Sequence, residues 1–290
     1  MPTIDPAGLA GWGINAMRAS QSSYTGAGIK IALLDSGFQP PHPDFKTRPI
    51  IGRSYVPSED PSDRIGHGTH CGAAACGPMF PTQYPRYGVA GGAQMWVLKI
   101  LARNATAQPE WLAAALETAI QHRCEIVCLP VARPVHWGVP YALEWESLAQ
   151  RALAAGTLIL AASGDESRRS LNVRWPVGSP ANCPSIVAVG AVDAQMQVAD
   201  FSNGGSNDGA SVVDVVAPGV DIFSAHLAPG LYRLLSGTSQ AVALAAGIAA
   251  LHAEKTGLRG NALRAELTRT ARPLPLDPID VGAGLVQAPI

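Results

Sequence analysis

Three residue types that together can activate a hydroxyl sit at glycine-rich junctions of this chain. They are Asp35 in Asp35-Ser36-Gly37, His67 in Gly66-His67-Gly68-Thr69-His70, and Ser239 in Gly237-Thr238-Ser239. A serine hydroxyl is a poor nucleophile at neutral pH unless a base takes its proton, and histidine is the side chain whose ordinary pKa lies nearest that pH. A carboxylate behind the imidazole would hold its tautomer and stabilise its charged form. Ser239 opens a small-residue apolar run continuing through Leu251, which predicts a helix whose unpaired first-turn N–H groups and positive dipole end would favour a developing oxyanion. Each residue also has a plainer reading on its own. Asp35 is a turn residue and Thr238 or Ser239 a helix cap. His67 and His70, three apart, could be a metal pair, but no acidic residue completes a His-Glu-x-x-His pattern, and no metal is expected there.

The elements around these residues alternate. Ile29–Leu34, Gln94–Leu101, Glu125–Leu129, Thr157–Ala162, Ser185–Val189 and Val212–Val216 are short apolar runs expected to be buried parallel strands. Trp111–Gln121, Tyr141–Ala154 and Leu258–Ala271 carry helical spacing. The alternation predicts an α/β fold, a mostly parallel central sheet with helices on both faces, in one domain over residues 1–290. Residues 1–28 are expected to form an N-terminal arm. Asp35 then falls at the carboxyl end of a strand, where open α/β sheets place function.

Composition narrows the partners. A hydrophobic share of 47% against 15% charged residues is ample for a sizeable core, and a formal net charge of -1 without like-charged blocks recommends neither nucleic acid nor an anionic membrane. No apolar run approaches the roughly 20 residues of a membrane span. Met1-Pro2-Thr3-Ile4-Asp5 lacks the basic-then-apolar pattern of a secretory leader, and five cysteines without Cys-x-x-Cys spacing lean towards a reducing compartment. A secreted mature form with buried thiols is compatible with the same facts.

The order Asp, His, Ser is that of the subtilisins. The chain resembles the subtilisin-like serine proteases in Asp35-Ser36-Gly37 followed by His42-Pro43-Asp44, in His67-Gly68-Thr69-His70, in Ala217-Pro218-Gly219 and in Gly237-Thr238-Ser239. The resemblance implies a three-layer subtilisin-like fold and a serine endopeptidase with Asp35, His67 and Ser239 as its triad. It also implies a peptide or protein substrate lying extended between Ala105-Thr106-Ala107 and Leu129-Pro130-Val131-Ala132, with Val131-Ala132 and Ala161-Ala162-Ser163 walling the first specificity pocket and Gly164 also binding substrate. An inhibitory propeptide is compatible with it.

The departures from that family carry as much information. Where subtilisins have a Gly-Asn pair whose amide donates to the oxyanion, this chain has Gly164-Asp165. An ionised carboxylate cannot donate, and losing one donor costs on the order of 100- to 1000-fold in rate. Asp165 is therefore either protonated during the reaction or paired with Arg168 or Arg169 and turned away, or else the protein is a catalytically weak, peptide-binding pseudoprotease. Gln240, Ala241, Val242 and Ala243 follow the nucleophile, with Ala243 in place of a family proline. That exchange relaxes crowding at the serine and motivates a second function, peptide maturation by ligation or macrocyclisation. Asp44 matches a calcium position of many relatives, but residues 77–88 contain no carboxylate or asparagine, so the usual ligand loop is absent and no cofactor is expected to be required. Cys71, one turn beyond His67, should place its thiol near the imidazole.

Overall fold

In the computed structural model the described residues are 11–206 and 212–290. Seven parallel strands form one sheet: β1 (Lys30–Asp35), β2 (Ile51–Ser54), β3 (Gln94–Lys99), β4 (Ile126–Leu129), β5 (Leu158–Ala162), β6 (Val187–Val192) and β7 (Val215–Pro218), in the order β2-β3-β1-β4-β5-β6-β7. β4, β5, β6 and β7 are buried at every position, as parallel strands covered on both faces must be. β2 is an edge strand, exposed over Ile51-Gly52-Arg53. It has no apolar alternation, which is why the sequence did not announce it. A two-stranded antiparallel hairpin, β8 (Ile222–Ala225) with β9 (Tyr232–Leu235), was likewise not anticipated.

The helices are α1 (Trp12–Ala16), α2 (His67–Cys76), α3 (Pro109–Gln121), α4 (Leu143–Ala154), α5 (Thr238–Thr256), α6 (Gly260–Arg269) and α7 (Pro278–Val281). α2 and α5 pack on one another and are buried over nearly their whole lengths. Their alanine- and glycine-rich sequences allow this, because a helix apolar all round has no face to give to water. α3 and α4 are amphipathic and pack together. Within the expected arm, α1 buries Ile14, and Met17 is fully enclosed. The chain leaves β1 towards β2 and β3, then crosses to β4 on the other side. The strand order thus reverses at β1, and the crevice at such a reversal is where α/β sheets bind ligands.

Candidate active site

Asp35 is the last residue of β1, fully buried and paired in register with Lys99. Lys99 is itself buried, donating Nζ to the Ser36 carbonyl (2.5 Å) and forming an ion pair with Glu59 at 3.3 Å. His67 is the first residue of α2, and its Nδ1 lies 2.9 Å from each oxygen of Asp35. Gly68 permits the approach, since a Cβ there would come within 2.2 Å of the Gly37 carbonyl oxygen. The first turn of α2 is gathered by Asp63, which accepts from the N–H groups of Ile65, Gly66 and Thr69 and from the Thr69 and Ser36 hydroxyls. Burial alone would raise the Asp63 pKa, but the bonds from Gly66, Thr69 and Ile65 hold it below the ordinary value. At His67 burial favours the neutral ring, yet the adjacent Asp35 charge outweighs it and lifts the pKa well above 6.5.

Ser239 is the second residue of α5 and half-buried. Its hydroxyl donates to the Pro130 carbonyl at 2.7 Å, and its own N–H belongs to the unpaired first turn. Cys71 Sγ lies 3.9 Å from His67 Nε2 and 3.7 Å from the Ser239 carbonyl, the position its helical spacing predicts. The Gln240 side-chain amide approaches the same sulfur at 3.7 Å. Asp35, His67 and Cys71 bring ligand-type atoms within 4.8 Å of one another, and no other such trio exists among the described residues.

Asp165 follows β5 and faces the start of α5. One carboxyl oxygen, Oδ1, accepts both the Thr238 N–H (2.8 Å) and the Thr238 hydroxyl (2.9 Å). Oδ2 points to Gly237, where a Cβ would sit 3.0 Å from it. The expected pairing with arginine is not found. Arg168 donates to the Asp165 carbonyl oxygen rather than to its carboxylate, and Arg169 forms a two-pronged pair with Asp280 at 2.7 and 2.8 Å. Desolvation raises the Asp165 pKa, with the Thr238 bonds pulling it back and Glu166 pushing the same way as desolvation. The residue is nonetheless exposed to the cleft, so water moderates the shift until a substrate covers it.

A family model described as the subtilase family matches residues 26–284. This chain belongs to the subtilase family. It is 34% identical over 266 residues to subtilisin E of Bacillus subtilis, covering 90% of this chain and 65% of that protein. Subtilisin of Bacillus pumilus shows the same 34% identity with 90% of each chain covered. An intracellular serine protease of Paenibacillus polymyxa is 30% identical over 274 residues, covering 90% of this chain and 79% of that one. The chain thus spans just under two thirds of the length of subtilisin E.

The groove of this subtilase, about 590 Å³, runs past His67, Ser239, Thr238 and Asp165, and Ala105, Ala107, Pro130, Val131, Ala132, Ala162 and Gly164 are among its lining residues. Thr106 and Ser163 do not line it. The Thr106 hydroxyl turns back to Asn104 at 2.7 Å, and Ser163 is fully buried beneath the floor with its hydroxyl 3.4 Å from the Asn203 carbonyl. Ile65, Ile100, Leu101, Leu112, Trp145 and Pro180 extend the apolar wall, and Glu144, Glu166 and Arg133 bring charge to it. Sequence reading missed these because they come from connections and from helix faces that touch the groove only after folding. Glu166 is steered by Asn203, whose amide donates to it at 2.7 Å.

Two other expected positions resolve structurally. His70 Nε2 sits 3.0 and 3.1 Å from the Ile222 and Arg233 carbonyls, so the ring ties α2 to the β8–β9 hairpin. Burial lowers its pKa to about 3, keeping it neutral. At Asp44, Oδ1 accepts the Thr82 N–H (2.7 Å) and Oδ2 accepts the hydroxyls of Tyr87 (2.6 Å) and Tyr232 (3.0 Å). A calcium ion needs six to eight oxygens presenting lone pairs. Asp44 instead faces three donor hydrogens, so these residues do not fit that cation.

Proposed function

We propose that this subtilase domain is a serine endopeptidase acting through Asp35, His67 and Ser239. The observation that carries the reading is the placement of His67 Nδ1 2.9 Å from both Asp35 oxygens, at the edge of a groove that also contains Ser239. With Nδ1 donating to Asp35, Nε2 presents a lone pair to the groove. A peptide entering as an added strand offers an N–H to the Pro130 carbonyl, the group that now holds the Ser239 hydroxyl. Displaced from it, the hydroxyl turns to His67, gives up its proton and attacks the scissile carbonyl. The imidazolium is stabilised by Asp35, then protonates the leaving amine, and water repeats the sequence to release the acid.

The developing oxyanion meets the Ser239 N–H and Asp165. We assign Asp165 as a neutral donor: Oδ1 stays anchored on Thr238 and Oδ2 carries the proton. A substrate lying across the cleft removes the water that now moderates its acidity, which favours the uncharged acid when the oxyanion forms. Labelling of Ser239 by a fluorophosphonate, read by intact mass from about pH 4 to pH 9 with Ser239→Ala as control, tests this reading. Labelling of the native protein alone supports it. No labelling at any pH in a folded protein rejects it and leaves the groove as a peptide-binding surface, which an inhibitory propeptide would also fit.

A second reading rests on α5 itself. The helix runs without interruption from Thr238 through Ala243, which is fully buried, so no proline ring crowds the turn behind Ser239. An amine could then compete with water for the acyl-enzyme, giving ligated or cyclised peptides. The partition of product between hydrolysis and amine capture decides between the two.

A further inference from the structure

The connection from β4 to α4, residues 130–142, leaves the groove and returns to it. Arg133 near its start and Glu144 and Trp145 just past its end all line the cleft. Connections this long without a helix or strand of their own are uncommon, and are usually functional. Arg133 is its one charged residue, and Pro130, Pro134 and Pro140 stiffen it. The side chains it carries away from the cleft are apolar and open to water: Trp137 is 48% exposed, Val139 51%, and Leu143, the first residue of α4, 76%.

A second segment, residues 171–179, is tied to the first. Arg133 exchanges backbone hydrogen bonds of 2.8 and 2.9 Å with Ser179, the His136 ring lies 5.3 Å from that of Trp175, and Trp137 Nε1 donates to the Arg174 carbonyl at 3.3 Å. Trp137 therefore has its N–H satisfied while half its surface stays open. Leu171 and Val173 on this segment are exposed too, so five of the ten large apolar side chains exposed among the described residues gather on one lip. Apolar surface concentrated in this way marks an interaction site. The lip is continuous with the groove, because Ser179 lines the cleft as Arg133 does, and Trp137 is at most about 14 Å of chain from Arg133. The substrate of an endopeptidase continues beyond the few residues seated in the cleft and must pass over whatever adjoins it.

We propose that this lip, residues 134–143 with 171–175, is an extended substrate-binding surface that takes an apolar stretch of unfolded polypeptide outside the residues held in the groove. The inference rests on the protease reading and adds a substrate class to it, long unfolded chains over short peptides. A lip already fixed by Ser179, Trp175 and Arg174 loses little freedom when a substrate covers it. The test compares a blocked tetrapeptide p-nitroanilide, short enough to fill the groove alone, with reduced, carboxymethylated α-lactalbumin, an unfolded protein. Trp137→Ser, Val139→Ser and Leu143→Gln together should raise KM for the protein at least about fivefold with kcat unchanged, and should leave both constants for the tetrapeptide within about twofold. Val139→Ser with Leu143→Gln, which keeps the His136 and Trp137 contacts, should give an intermediate KM. An unchanged KM for the protein overturns the proposal, as does an equal rise for both substrates. Sedimentation showing a dimer of the unaltered protein that the exchanges dissolve would assign the surface to a second copy and overturn it too. Cleavage of neither substrate by the unaltered protein would sink the protease reading alone. Anisotropy of fluorescein-labelled carboxymethylated α-lactalbumin on Ser239→Ala, with and without the three exchanges, then decides the surface: weakened binding supports it and indifference overturns it.

Discussion

Thr238 donates both its backbone N–H and its hydroxyl to the same oxygen of Asp165, at 2.8 and 2.9 Å. The pair fixes the carboxyl at the entrance to α5 while leaving the other oxygen uncommitted. Asp165→Asn should therefore be accommodated in place, its carbonyl oxygen taking over the Thr238 bonds and its amide pointing where Oδ2 does now. The asparagine donates without needing a proton, so kcat at pH 8 should rise by roughly 10- to 100-fold. Steady-state hydrolysis of a peptide amide checks this, and a fall in kcat would show that Asp165 does not serve as an oxyanion donor.

The pH profile follows from opposing demands. His67 must be neutral to accept the Ser239 proton, and its pKa is raised well above 6.5 by Asp35, so kcat/KM should climb with pH through a value above 6.5 and be lost below it. Asp165 must be protonated to donate, and its pKa is raised above 3.8, so activity should fall as pH increases past that point. Together these give a low bell, and Asp165→Asn should abolish its alkaline limb. A pH–rate profile of both proteins that shows the same alkaline limb refutes the assignment.

Lys99, beside Asp35 in the strand register, holds the backbone that follows it. Replacing its ammonium by Lys99→Met leaves the Ser36 carbonyl without this donor and leaves Glu59 to Arg103 alone, and should cost up to about 3 kcal/mol of stability. Urea denaturation monitored by fluorescence measures it. Adding Glu59→Gln should recover part of the loss, because the carboxylate that has lost its buried cation is then gone.

At Asp44 the burial of the carboxyl opposes ionisation, but the bonds from Tyr87, Thr82 and Tyr232 hold its pKa below 3.8. These bonds occupy the carboxyl with hydrogen donors. Thermal unfolding should therefore be indifferent to a calcium chelator, whereas Tyr87→Phe should destabilise by about 1 to 2 kcal/mol. A fall in melting temperature on chelation would mean that calcium is held after all.

Much of this was legible in the sequence. Strands β1, β3, β4, β5 and β6 announced themselves as apolar runs because both faces of a parallel strand are buried, and Asp35 and His67 were marked by the glycines that let α2 approach β1. The position of Cys71 followed from helical spacing. What escaped was set by contacts rather than by local pattern. β2 carries an exposed, unpatterned sequence. The hairpin β8–β9 is anchored from outside by His70. The orientation of Asp165 depends on Thr238, 73 residues away, while the arginines nearest to it in sequence turn elsewhere. The Thr106 hydroxyl turns to Asn104, and Ser163 is enclosed beside the Asn203 carbonyl.

The strand order has a temporal consequence. β1 lies between β3 and β4, and the helix bearing Ser239 follows all of the sheet's strands in the chain. Such non-local pairing forms slowly, since the closure of long loops precedes the contacts that reward it. A nascent chain holding Asp35 and His67 already juxtaposed still lacks Ser239, so under the proposed mechanism cleavage waits until α5, more than four fifths of the way along these 290 residues, has docked.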